Sequence, residues 1–211
     1  WLLSPLILTI VMVLCLNIPS HAIALITLAS RIMQQDDQFS RKNMKQKNIL
    51  FTDMDGTILF SDNGKTYFKE SDLDAIKEFQ QRGNLIVINS GRALPWIVAP
   101  LEGYLLPDYM IAGTGSIIAD SHQQILHEEP VSFTAIKKII NEYASDIPLT
   151  VHTKDNVFSC NQKKLYNLPI TPISSIDLLK TEKLYGMSFH FKDNKSAKAF
   201  ADWLGKSGHQ E

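Results

Sequence analysis

Asn48-Ile-Leu-Phe-Thr-Asp53-Met-Asp55-Gly56-Thr57-Ile-Leu-Phe60 is a short uncharged apolar run that breaks into two carboxylates one residue apart and then a Gly-Thr turn. Residues 49 to 52 are too few for a helix and are followed at once by turn formers, so they read as a buried strand of a parallel sheet. Strand alternation puts Asp53 and Asp55 on the same side of the chain. Two like charges that close need a cation, hydrogen bonds or a shared proton to offset their repulsion in a dry cleft. That points to a metal site with one nucleophile and one proton carrier. The bland alternative is a surface Asp-x-Asp-Gly turn, although a surface turn seldom links two uncharged apolar runs.

Downstream, Ser61-Asp-Asn-Gly64 is turn chemistry. Ser71 with Asp74 reads as a capping box, Leu73, Ile76 and Phe79 make a helical stripe, and Gly83 marks its stop. Leu85-Ile-Val-Ile88 is then a second apolar strand, which makes a βαβ unit with a right-handed crossover. Ligands of such sheets sit off the carboxyl ends of the strands, so Asn89-Ser90-Gly91-Arg92 is expected beside Asp53 and Asp55. The Ser90 hydroxyl, the Gly91 amide and the start of a helix from Leu94 suit phosphate oxygens. Arg92 suits either phosphate or a structural ion pair at the rim.

Phe51-Thr-Asp53-Met-Asp55-Gly56-Thr57-Ile-Leu resembles the first motif of the haloacid dehalogenase (HAD) superfamily, and Ser90-Gly91-Arg92 resembles the second motif of its Cof-like, type IIB branch. The resemblance implies an α/β fold, a HAD-like Rossmannoid parallel sheet carrying an inserted α/β cap domain. It implies a magnesium-dependent phosphatase acting on a sugar phosphate or other small phospho-metabolite. Asp53 would attack phosphorus to give an aspartyl-phosphate. Asp55 would protonate the leaving alcohol and later take a proton from water. Magnesium would be held by Asp53 and Asp55, the latter through its backbone carbonyl. Phosphate would be held by Ser90 and Gly91, with Thr57 ordering the turn and Arg92 as a further candidate. A phosphotransferase or phosphomutase of the same fold, and a membrane-tethered binding module without catalysis, are the alternatives.

Tyr109-Met-Ile-Ala112 is a third apolar strand, followed by Gly113-Thr-Gly115-Ser116 where members of the branch often carry Asn-Gly-Ala. This departure removes Thr114 from the candidate catalytic set. Ile117-Ile118 and Ile125-Leu126 form an expected hairpin turning at Asp120 to Gln123. From about residue 130 the pattern becomes a helix capped by Ser132, a hairpin around Asp155-Asn156, a strand from Leu184 to Phe191 and an amphipathic helix from Asn194 to Leu204. Residues 48–128 are thus the expected first half of the core, and residues 129–211 the cap or a separate α+β domain.

The family's remaining motifs, a lysine that neutralises the phospho-aspartate and a Gly-Asp-rich magnesium motif, have no match. Lys163, Lys164 and Lys183 are out of place, and no Gly-Asp-x-x-x-Asp occurs. The expectation is a core lacking its C-terminal half: a fragment with little or no activity, its nucleophile strand left as an exposed apolar edge.

Residues 1–30 carry no Asp, Glu, Lys or Arg. They read as a signal or membrane anchor, or as an extension foreign to the mature enzyme, since Met44 stands just ahead of the first motif. Residues 31–47 read as a linker. The catalytic part is expected in the cytoplasm, unless residues 1–30 are genuine and anchor or export it. A net charge of -1 and a pI near 6.7 argue against a nucleic-acid partner. Cys15 and Cys160 lack disulfide or zinc spacing, and the histidines at 21, 122, 127, 152, 190 and 209 read as surface or half-buried residues.

Overall fold

The computed structural model describes residues 11–12, 47–143, 147–160 and 170–206. The chain divides into two compact units, Trp1–Glu128 and Glu129–Glu211.

The first unit is an α/β Rossmannoid layer. Its elements are β1 (Val11–Met12), β2 (Ile49–Thr52), β3 (Leu59–Asp62), β4 (Lys65–Phe68), α1 (Glu70–Gln81), β5 (Leu85–Asn89), α2 (Leu94–Leu101), β6 (Tyr109–Ala112), β7 (Ile117–Asp120) and β8 (Ile125–Glu128). The sheet runs β1-β2-β5-β6-β7-β8; β1, β2, β5 and β6 are parallel, and β7 and β8 return antiparallel. Strands buried on both faces read as continuous apolar runs, which is why Ile49–Thr52 and Leu85–Ile88 show little alternation. Ile49, Phe51, Val87, Ile111 and Ile118 form one buried cluster. Leu73 and Ile76 of α1 and Leu94, Trp96, Ile97 and Leu101 of α2 are also buried.

Three expectations are corrected. Helix α1 starts at Glu70 with Lys69 as an uncapped N-cap, and the Ser71 hydroxyl bonds the Asp72 carboxylate, so no capping box forms. Glu70 and Asp72 place negative charge in the first turn, where the helix dipole favours it. The turn expected over residues 61–64 is confined to Asn63-Gly64, because Ser61 and Asp62 pair with Thr66 and Lys65 in a two-stranded hairpin, β3 on β4; Asn63 and Gly64 both adopt positive φ (49° and 76°), as in the type I′ turns that match strand twist. The outer edge of β2 is not bare, because β1 pairs with it through Val11↔Leu50 and Met12↔Phe51. Unpaired amides and carbonyls on an apolar strand are a template for any strand within reach. The remaining expectations for residues 1–46 lie outside the described residues, and no described helix is long and apolar enough to cross a membrane.

The second unit holds α3 (Phe133–Tyr143), β9 (Leu149–His152), β10 (Val157–Cys160), β11 (Thr171–Pro172), β12 (Gly186–Phe189) and α4 (Asn194–Lys206). Its sheet is ordered β11-β10-β9-β12. Leu149 and Val151 join Ile136, Cys160, Ile176, Leu179 and Leu184 in one buried cluster. Alternation sends Thr150 and His152 to the opposite face, where both are buried and the Thr150 hydroxyl lies 3.3 Å from His152 Nε2. This corrects the expectation of a surface or half-buried histidine.

Burial, followed by the charge of His190, lowers the His152 pKa to about 4. The folded state therefore binds fewer protons than the unfolded chain between about pH 6.5 and 4. The stabilisation is complete above the unfolded value and is lost as pH falls through that window, up to about 3 kcal/mol. Urea unfolding is expected to show this loss between pH 7.5 and 4.5, and His152→Gln to flatten it.

Candidate active site

The turn after β2 is wound on one buried carbonyl. Met54 is fully buried, and its oxygen accepts from Thr57 N at 3.3 Å, Ile58 N at 3.1 Å and Leu59 N at 2.8 Å. Gly56 N in turn donates to Leu59 O at 2.9 Å, with Gly56 at φ 74°, a conformation natural to a residue without Cβ. Satisfying these amides inside the loop holds the residues on either side of Met54 in place at the end of the strand. Asp53 is half-buried and Asp55 is exposed. Thr57 is half-buried, and its amide helps close the turn.

The second group stands on the neighbouring strand. Thr52 of β2 is in register with Ile88 of β5, so the segments that follow, Asp53–Asp55 and Asn89–Arg92, leave the same edge of the sheet side by side. Ser90 is buried, and its amide donates to Ile111 O at 2.9 Å. Its hydroxyl accepts the Arg92 amide at 3.2 Å. Gly91 is exposed, and a Cβ there would meet Thr114 Cγ2 at 3.6 Å, an ordinary contact. Proximity to the backbone therefore does not require the glycine, whereas an amide open to solvent suits an anion.

Arg92 grips Asp55. Its Nε donates to Asp55 Oδ2 at 2.8 Å and its Nη2 to Oδ1 at 2.6 Å, while Nη1 donates to Trp96 O at 3.0 Å. A rim ion pair, one of the two roles open to Arg92 in the sequence, is present here with Asp55. The Arg92 fork turns the Asp55 carboxylate towards the guanidinium, and the backbone carbonyl of Asp55 offers a further hard oxygen donor. Among the described residues no group of three or more His, Cys, Asp or Glu side chains converges as a metal site. Asp53 and Asp55 thus make a partial donor set of hard oxygens. Such a set fits magnesium, which keeps several waters and is commonly shared with substrate phosphate.

A feature not anticipated from sequence is Thr114, held at φ 56° and ψ 31°. A β-branched side chain is strained there, by about 1–2 kcal/mol. Thr114→Asn is expected to raise the melting temperature by a few degrees, corresponding to about 1 kcal/mol; an unchanged or lower value would show that local contacts outweigh the strain. Lys183 is exposed in the second unit, and Lys163 and Lys164 lie outside the described residues.

A haloacid dehalogenase-like hydrolase family model matches residues 50–206. An uncharacterised protein of Mycoplasma capricolum subsp. capricolum is 30% identical over 125 residues, which cover 54% of this chain and 47% of that protein. The fold is similar to that of a phosphatase of the HAD superfamily from Bacteroides thetaiotaomicron, with a TM-score of 0.57, 19% identity, and 78% of this chain and 65% of that one covered. It is also similar to a HAD subclass IIB sugar phosphatase, with a TM-score of 0.56, 17% identity, and 73% and 62% covered. The chain spans about half the length of the curated relative and somewhat under two thirds of these two solved chains.

Proposed function

Because the chain belongs to the haloacid dehalogenase-like hydrolase family, we propose that it carries the nucleophile half of a phosphatase site acting on a small phosphate ester, with a sugar phosphate as the substrate class. The carrying observation is the register of β2 with β5, which sets the Asp53–Asp55 turn beside Ser90 and Gly91. The sugar-phosphate class rests on the likeness to a HAD subclass IIB sugar phosphatase.

In this reading an Asp53 carboxylate oxygen attacks phosphorus, the ester P–O bond breaks, and the protein holds an acyl phosphate. Asp55 gives its proton to the departing alkoxide and recovers one from the water that hydrolyses the acyl phosphate. The Ser90 hydroxyl and the Gly91 amide hold non-bridging phosphoryl oxygens, and the Met54-centred turn keeps Asp53 in line. The Asp53 carboxylate and the Asp55 carbonyl would hold magnesium, which when bound neutralises phosphoryl charge as a Lewis acid. Residues 48–128 act as the catalytic body and residues 129–211 as the cap that selects the ester. Since the described residues supply only part of a metal site, turnover by this chain alone is expected to be slow.

The experiment is chemical trapping. The chain is incubated with acetyl phosphate and magnesium, reduced with borohydride, digested, and its peptides weighed. Conversion of Asp53 to homoserine is expected; modification at another residue, or none, would sink the reading. Comparing hexose phosphates with nucleotides and phosphopeptides as phosphoryl donors tests the substrate class.

A further inference from the structure

Arg92 follows the expected phosphate-binding pair Ser90-Gly91, yet its guanidinium is committed elsewhere. Three of its five N–H groups are used, two on Asp55 and one on the Trp96 carbonyl. Its backbone is tied down as well: its amide donates to Ser90 Oγ at 3.2 Å, and its carbonyl accepts Gly113 N at 2.7 Å. Arg92 is thus pinned to the segment just after β5, to the first turn of α2 and to the loop after β6. It reaches across to a residue 37 positions earlier in the chain.

The pair is asymmetric. The Arg92 side chain is 18% exposed and that of Asp55 is 55% exposed. An ion pair with one member so open contributes little to stability. What a bidentate fork adds is geometry, because two parallel N–H···O bonds fix the plane of the carboxylate. Asp55 immediately precedes Gly56 in the turn and is exposed, and among the described residues it is Arg92 that grips its carboxylate. The fork also leaves lone pairs on both oxygens, since a carboxylate has about four acceptor sites and the fork takes two.

We propose that Arg92 is a positioning residue for Asp55 and not a ligand of the substrate phosphate: it holds the carboxylate that handles the leaving-group proton. This rests on the proton-carrier role given to Asp55 above. A lysine cannot reproduce the effect, because an ammonium is a point charge without the planar fork.

The test has two arms. In the isotopically labelled chain, three-bond couplings from the Asp55 carboxyl carbon to its backbone nitrogen and carbonyl carbon report the χ1 rotamer. The wild type is expected to show one rotamer, and Arg92→Ala and Arg92→Lys a rotamer average, with the amide spectrum otherwise retained. A single unaltered rotamer in both variants would overturn the proposal. A variant that failed to fold would show a collapsed amide spectrum; Arg92→Gln, which keeps one donor amide, then supplies the same coupling readout.

The second arm compares phosphate esters. Arg92→Ala is expected to slow an alkyl phosphate by about 10-fold more than an aryl phosphate, since only the basic alkoxide needs a well-placed proton. Equal losses on both esters, together with weaker binding of inorganic phosphate, would make Arg92 a phosphate ligand and overturn the proposal. Failure to trap phosphate on Asp53 would instead remove the phosphatase reading and leave the rotamer result standing.

Discussion

Asp53→Asn is expected to abolish trapping of phosphate on the protein and to lower single-turnover phosphoryl transfer from acetyl phosphate by roughly 10⁴-fold or more, about 5 kcal/mol of barrier. The substitution exchanges one oxygen for an amide nitrogen of nearly the same size at a half-buried position, so the turn on Met54 should persist. An amide has no charged oxygen with which to displace an alkoxide, and the two-step route through a covalent intermediate closes. The melting temperature should stay within a few degrees of wild type. Phosphorylation retained at the wild-type rate in Asp53→Asn would place the nucleophile elsewhere.

The second large effect belongs to Asp55. Asp55→Asn is expected to slow alkyl phosphates by about 10²–10⁴-fold, the usual contribution of a positioned acid or base. Activated aryl phosphates, whose leaving groups depart without a proton, should be slowed much less. The substrate dependence is the informative part, because loss of a phosphate contact would slow both esters alike. Stability should change by less than about 1 kcal/mol, since the ion pair that is weakened has an exposed partner. Stopped-flow rates for matched alkyl and aryl esters at constant magnesium decide it, and a uniform loss would remove Asp55 from proton transfer.

Local signals in the chain account for most of the first unit. Ile49–Thr52 and Leu85–Ile88 are legible as strands because buried parallel strands are apolar on both faces. The hairpin at Asp120 to Gln123 forms as its turn residues require, with the Asp120 carboxylate accepting from His122 N and Gln124 N, both at 2.9 Å. Where two local signals compete, sequence alone chooses poorly. Ser71 and Asp74 have the spacing of a capping box, but the chain enters α1 too early for Ser71 to be the cap, the N-cap being Lys69. Leu184 to Phe191 alternates over eight residues, yet only Gly186–Phe189 pairs with β9, because a ladder ends where its partner strand ends. The buried His152 was hidden for a related reason: the β9 pattern places it on the sheet face opposite Leu149 and Val151, and whether that face is covered is not written in β9 itself.

The amino-acid sequence by itself determined the strand ending in Asp53-Met-Asp55-Gly56-Thr57, the βαβ unit that follows it, and the placement of Ser90 and Gly91 at the same sheet edge. These depend on side-chain periodicity and turn chemistry acting over a few residues, which a linear reading captures. Only the tertiary structure decided that Arg92 pairs with Asp55, which strand covers the outer edge of β2, and that Thr114 is held in a strained left-handed conformation. Each is settled by contacts between residues far apart in the chain or by the close packing of loops around them. The Arg92 guanidinium meets Asp55 because β2 and β5 lie in register, and no local pattern distinguishes an arginine aimed at a carboxylate from one aimed at a phosphate.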